Sequence, residues 1–249
     1  MELKSANLER TPSMGFDATT VGAVTIWRGK PDCQAGHDWL LEQLQSLDIA
    51  FLKDSQQLSL AIRGNLGESI AFCIGNADKY SSCRCFAANA LDPLTGISRS
   101  GVDIVWIWFG KSVDNDIAIV QEVKVTGQDK LDYAMKLVQD YDKLFGSQPA
   151  ETLWNRIRSI KAELKHKVKR VDLAHRLDDL VRDSPSTSPK IRILPTLIHD
   201  LASQDPEQRM IVVRETICGG GWRSIAVKAW AIGLSDLDDR LDRLAMGSK

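Results

Sequence analysis

Residues Ile119–Thr126 read IVQEVKVT. The β-branched content is that of a strand, yet Glu122 and Lys124 stand at its centre. Strand side chains alternate, so residues two apart share a face. A carboxylate and an ammonium are therefore presented side by side. They form either a cross-strand salt bridge at a sheet edge or half of a metal-dependent active site.

The flanking sequence bears on that choice. Gly101–Phe109 (GVDIVWIWF) and Ile117–Thr126 are both rich in β-branched and aromatic residues, and GKSVDND between them supplies turn residues, so a β-hairpin is expected. Val102, Ile104, Trp106 and Trp108 fall on one face, Val105, Ile107 and Phe109 on the other. Strands apolar on both faces belong inside a sheet covered by helices, which is not where a solvated salt bridge is expected. Gln121 points to the face opposite Glu122 and reads as structural.

A turn symmetric about Ser112 and Val113 makes paired positions sum to about 225 and sets Asp103 opposite Glu122, with Cβ atoms about 5 Å apart. Two carboxylates so close repel unless a cation or a shared proton intervenes. Mg²⁺ favours hard oxygen ligands, and Asp103, Glu122 and the Val123 carbonyl offer three; Mn²⁺ suits the same donors. Lys124, one pleat along the same face, reaches the reacting water or a substrate phosphate. Such a set hydrolyses a phosphodiester. The bare acid-x-Lys signal is weak, and Glu163-Leu-Lys165 repeats it. Context strengthens it: a second acid at a paired position, apolar strands and a following helix.

Upstream, Leu58, Ile62, Leu66, Ile70 and Ile74 repeat every four residues and predict a helix over about Ser55–Ile74, closed by Gly75-Asn76. Glu68 lies on it in RGNLGESIAF. Gly64 and Gly67 allow close approach to a sheet, at a helix cost of up to about 1 kcal/mol each. Glu68 reads either as a metal or supporting acid or as an ordinary exposed glutamate.

The remaining elements complete a mixed α/β order. A strand is expected at Val21–Trp27, a helix at His37–Leu47 and a short strand at Arg84–Ala88. Leu131, Ala134, Met135, Val138, Tyr141 and Phe145 predict a helix ended by Gly146. Another runs from Ala150 to about Val168, with Trp154, Ile157, Ile160 or Lys161, Leu164 and Val168 inward. On its other face Arg158, Lys161, Lys165 and Lys169 form a basic stripe, with Lys167 and Arg170 adjacent. That stripe is either a contact for a nucleic-acid backbone or a solvated helix face. A short helix is expected at Val171–Val181, then strands near Ile191–Ile198, Met210–Ile217 and Ile225–Ile232. Gly219–Gly221 read as a hairpin turn between the last two strands, and a final helix follows N-cap Ser235.

The chain has 249 residues, 43% apolar content and a formal net charge of −1. That suits one large domain with a sizeable core: a core over roughly 54–146, a strand–helix extension over 1–53 and a helix–strand elaboration over 147–249. Bulk charge does not by itself imply nucleic acid. The odd, irregularly spaced cysteines, the polar N-terminus and the absence of any membrane-length run point to a reduced cytoplasmic protein with no membrane partner. Cys83-x-Cys85 lacks a second pair for zinc. The four histidines show no ligand spacing, and neither GxxxxGK[ST] nor GxSxG occurs.

A helix with Glu68, then Asp103 in SGVDIVW, then QEVKVT, then a helix resembles the PD-(D/E)XK nuclease superfamily. The usual proline before the first acid is replaced by Val102. The resemblance covers roughly Gly64–Phe145 and implies a restriction-endonuclease-like mixed sheet flanked by helices, with Mg²⁺ at the acids. RGNLGES, EVKVT and YAMKLVQDYDKLFG are further similar to the small nuclease-like subunit of Hachiman-type antiphage systems, which implies a bacterial defence effector beside a helicase or ATPase partner. The expectation is thus a metal-dependent DNA nuclease with Asp103, Glu122, Lys124 and Glu68 at its site. The alternatives are a non-catalytic nucleic-acid-binding or assembly subunit on the same fold, and a small-molecule phosphoesterase.

Overall fold

The computed structural model describes residues 16–29, 34–46, 51–52, 58–77, 102–127, 131–143, 150–181 and 187–248. The expected strand at Arg84–Ala88, Cys83 and Cys85, and the ends of several expected helices lie outside them. Among the described residues six strands form one sheet between two layers of helices. They are β1 (Phe16–Val21), β2 (Val24–Gly29), β3 (Ile104–Trp108), β4 (Ile117–Thr126), β5 (Ile191–Asp200) and β6 (Ala229–Leu234), in the order β1-β2-β6-β5-β4-β3. The α/β class with a mixed, helix-flanked sheet is therefore present. The segment 54–146 supplies β3 and β4; the other strands come from the regions before and after it, so one sheet runs through all three.

The strands β2, β6, β5 and β4 are mutually parallel, and the outer pairs β1–β2 and β3–β4 are antiparallel. A parallel step needs a crossover connection, usually a helix, and this overturns one expectation. Met210–Ile217 is not a strand; it lies in helix α7 (Pro206–Gly219), with Pro206 in the first turn and Met210, Val213 and Ile217 buried. Those residues stand at i, i+3 and i+7, a helical stripe. Gly219–Gly221 accordingly end a helix, with Gly221 at φ 108, and form no hairpin. The strand expected from Ile225 begins at Ala229, after a 3₁₀ turn at Ser224–Ala226.

At the other end, the expected single strand Val21–Trp27 is a hairpin. Val21 pairs with Val24 across Gly22, whose φ of 58 glycine adopts without steric cost.

Helices α1 (Gln34–Ser46), α2 (Leu60–Ala77) and α8 (Leu237–Ala245) cover one face. They pack against Trp27, Ile104, Trp106, Val123, Ile198 and Trp230. In α2, Ile62, Leu66, Ile70 and Ile74 are buried as their spacing requires, although Leu58 precedes the helix and Gly75-Asn76 does not stop it. Helices α3 (Leu131–Ala134), α4 (Lys136–Lys143), α5 (Ala150–His166), α6 (Val171–Arg176) and α7 cover the other face, over Val105, Ile107, Val120, Ile193 and Leu197. The last helix is capped differently from expectation: Ser235 does not cap it. Asp200, at the end of β5, accepts the Leu237 N–H at 2.8 Å. No helix among the described residues is long and apolar enough to cross a membrane.

Candidate active site

The hairpin register is the expected one. Ile104 pairs with Gln121 and Val105 with Val120, which leaves Asp103 as the next position opposite Glu122. The strand β3 begins at Ile104, whereas β4 continues to Thr126, so the last part of β4 has β5 on one side and no β3 on the other. Asp103 fills the first gap in that ladder. Its Oδ2 accepts the Val123 N–H at 2.7 Å, as an orphan strand donor requires. The N–H and C=O of one strand residue point to the same side, so the Val123 carbonyl faces the same side of β4 as Asp103.

Three carboxyls meet there. Glu122 is buried, while Asp103 and Glu68 are half-buried. Asp103 bears on both Glu68 and Glu122, and its negative charge disfavours the ionised form of each. Burial, followed by the charge of Asp103, pushes the Glu68 carboxyl up to about 8. The same two causes raise Glu122 well above its usual range. Asp103 is also raised by burial, against the pull of Lys124, the Val123 N–H and Glu122. Crowded, desolvated acids hold protons when no cation compensates them.

Glu68 arrives from the opposite helix layer because α2 crosses β4 at Gly67. A Cβ there would lie 2.2 Å from Val125 Cγ2, so only glycine permits this approach. Nothing crowds Gly64, which plays no such part.

Burial disfavours the Lys124 ammonium, but Asp103, Asp140 and Glu122 more than offset it, and its pKa rises. Its Nζ lies 2.7 Å from Asp140 Oδ2 on α4. Arg156 on α5 donates from Nε to the Val102 carbonyl at 3.0 Å and bears electrostatically on Glu68. Beneath the site, the Tyr141 hydroxyl accepts from the Glu122 N–H and donates to the Val120 carbonyl, both at 3.1 Å. On the far face Gln121 is structural as expected. Trp106 Nε1 donates to its Oε1 at 2.7 Å, and its Nε2 donates to Thr196 Oγ1 at 2.9 Å.

Asp103, Glu122, Glu68, Lys124 and the Val123 carbonyl are thus brought to one place, joined by Asp140 and Arg156, which sequence reasoning did not single out, and by Tyr141, whose spacing marked it only as an inward helix residue. Arg156 had a signal: it falls beside Leu153, Ile157 and Ile160 on the apolar stripe, an inward position for a cation. Asp140 had none, since its partner is set by how α4 lies on the sheet.

Ionised, the four acids exceed the two cations by two charges, the deficit that one divalent ion fills. The donors are all hard oxygens, which fits Mg²⁺ or Mn²⁺. As the side chains stand, no group of three or more His, Cys, Asp or Glu among the described residues is arranged around a metal position.

The basic stripe is spread elsewhere. Arg158 is exposed, Lys161 is held by Asp178 at 2.6 Å, Lys165 is half-buried and Lys169 is exposed.

Comparison with known proteins finds no family model that matches this chain and no match among curated proteins.

Proposed function

We propose that this chain is a metal-dependent nuclease of the PD-(D/E)XK type, with a restriction-endonuclease-like core, that hydrolyses phosphodiester bonds of DNA. One observation carries the reading: Asp103, Glu122, Lys124 and Glu68 converge just before the start of β3, beside a continuing β4. Asp103, Glu122 and the Val123 carbonyl would hold Mg²⁺ or Mn²⁺, with Glu68 as the supporting acid. When bound, the ion polarises the phosphoryl oxygens and lowers the pKa of the attacking water. Lys124 orients that water or offsets charge developing on the phosphate. Asp140 holds the lysine at the rim of the acids, and Tyr141 fixes the backbone of Glu122.

The ion pair between Lys124 and Asp140 also favours a second reading: a restrained or non-catalytic nucleic-acid-binding subunit whose lysine is held away from chemistry. The similarity to the small subunit of Hachiman-type systems makes a helicase partner the natural source of release, in a cytoplasmic antiviral role. The deciding experiment incubates purified protein and Lys124→Ala with supercoiled, linear and single-stranded DNA in Mg²⁺ or Mn²⁺. Metal-dependent nicking that disappears in the variant supports the nuclease. Equal activity in both proteins refutes the site. Inertness of both, also with a helicase partner added, leaves the binding subunit.

A further inference from the structure

From Asn155 to Arg170 the chain carries seven Lys and Arg against the single acid Glu163, a local net charge of +6; with −1 overall, all other residues sum to −7. Much of this charge collects at the C-terminal end of α5. The helix stops at His166, so Val168, expected inward, is 42% exposed, and Val171 beyond it is 50% exposed. The Lys167 and Val168 N–H groups both donate to the Glu163 carbonyl, and the Arg170 N–H donates to that of Leu164 at 2.8 Å. This closing geometry puts a left-handed residue after the helix. That residue is Lys169, at φ 59, where glycine is the usual choice and another residue costs roughly 1 to 2 kcal/mol. Its side chain is exposed. Glu163 engages Lys167 only at 3.7 Å, and Asp172 pairs with Arg170 at 2.6 Å. Lys165 and Lys169 have no acidic partner among the described residues.

The same helix reaches the acid cluster. Arg156, near its start, bonds the Val102 carbonyl, one residue before Asp103. From Arg156 to His166 a helix rises about 15 Å. One rigid rod therefore links the carboxyls to a basic knuckle with apolar flanks.

We propose that the knuckle Lys165–Arg170 is a second, non-catalytic contact for the backbone of duplex DNA whose scissile phosphate lies at the acid cluster. The inference rests on the nuclease reading. The helix between Arg156 and His166, about 15 Å of rise, sets the knuckle apart from the strand that enters the acid cluster, and a polyanion stiff over such a length, as a duplex is, suits two separated contacts. Val168 and Val171 offer apolar surface to the sugars between phosphates.

The test is anisotropy titration of labelled duplexes and single strands with full-length protein in Ca²⁺, across a salt series. The Lys165→Gln/Lys167→Gln/Lys169→Gln variant runs in parallel, its fold checked by circular dichroism and by Mg²⁺-dependent thermal stability. The plot of log K against log salt should be shallower in the variant by about 2 to 3, at about 0.9 for each phosphate no longer neutralised. A slope unchanged in the variant, with wild type cleaving DNA, overturns the knuckle and leaves the nuclease. Knuckle-dependent duplex binding without divalent-dependent cleavage or thermal gain keeps the contact and overturns the nuclease reading. Tighter knuckle-dependent binding to single strands than to duplexes, or to phosphatidylserine vesicles than to DNA, overturns the proposed ligand.

Discussion

Gly67 and Val125 touch as closely as backbone and side chain allow. A single Cβ on Gly67 would sit 2.2 Å from Val125 Cγ2, and Glu68 is the next residue. Gly67→Ala therefore lifts α2 off β4 and draws Glu68 away from Asp103. Overpacking of this kind costs about 1 to 3 kcal/mol, more than the up to about 1 kcal/mol that alanine gains in helix propensity. Denaturant unfolding should show net destabilisation. Gly64→Ala, with open space at its Cβ, should be neutral or stabilising. Equal behaviour of the two variants would refute this packing.

Tyr141→Phe removes a hydroxyl and leaves the buried Glu122 N–H and Val120 C=O without that partner. The expected destabilisation is about 1 to 3 kcal/mol, with faster hydrogen exchange at the Glu122 amide. Unchanged protection there would mean the hydroxyl is not what holds this part of β4.

The acid cluster sets a pH dependence. Glu68 has an ordinary value near 4.5 and is raised to about 8 when folded, by burial and by Asp103. The folded state then binds the proton more tightly, so without metal the protein loses stability as pH rises from about 4.5 to about 8. Glu122 and Asp103, also raised, act in the same direction. Glu68→Gln should flatten the melting temperature across this window and exceed wild type at its alkaline end. A wild-type profile that rises with pH would contradict the assignment.

A bound divalent cation reverses that penalty. Melting temperature should climb with Mg²⁺ or Mn²⁺ by mass action, about 2.7 kcal/mol of stabilisation at a hundredfold excess over Kd. The gain should be largest above about pH 8. Asp103→Asn should remove it. A gain surviving in that variant would place the cation elsewhere.

Asp140→Asn breaks an ion pair whose side chains are 20% and 23% exposed, so solvent screening limits the destabilisation to about 1 kcal/mol. Two readings of the pair diverge in function. If Asp140 positions Lys124, cleavage falls more than stability does. A rise in cleavage would instead make the pair a restraint on the lysine.

How far the chain alone speaks follows from the range of each interaction. The pairing of Ile104 with Gln121, and so of Asp103 with Glu122, was legible because a short turn sets an antiparallel register locally. The buried stripe of α2 was legible because four-residue spacing marks one helical face. Met210–Ile217 misled, since a short apolar run serves strand or helix alike, and only the parallel pairing of β5 with β6 demands a crossover. The hairpin at Gly22 is hidden in the sequence because a lone glycine between apolar residues suits a strand interior as well as a turn.

By itself, then, the sequence determined the α/β class, the acid–acid–lysine register and a pair of glycines, Gly64 and Gly67, of which the structure uses only Gly67 to bring a helix onto the sheet. Tertiary structure alone decided that β4 outruns β3, that Asp140 takes the Lys124 ammonium, that Arg156 ties α5 to the strand entering the site and that Asp178 removes Lys161 from the basic face. The first group depends on neighbours a few residues apart, or on one residue's own shape. The second joins groups many residues apart, whose meeting depends on how separate elements bury their apolar faces.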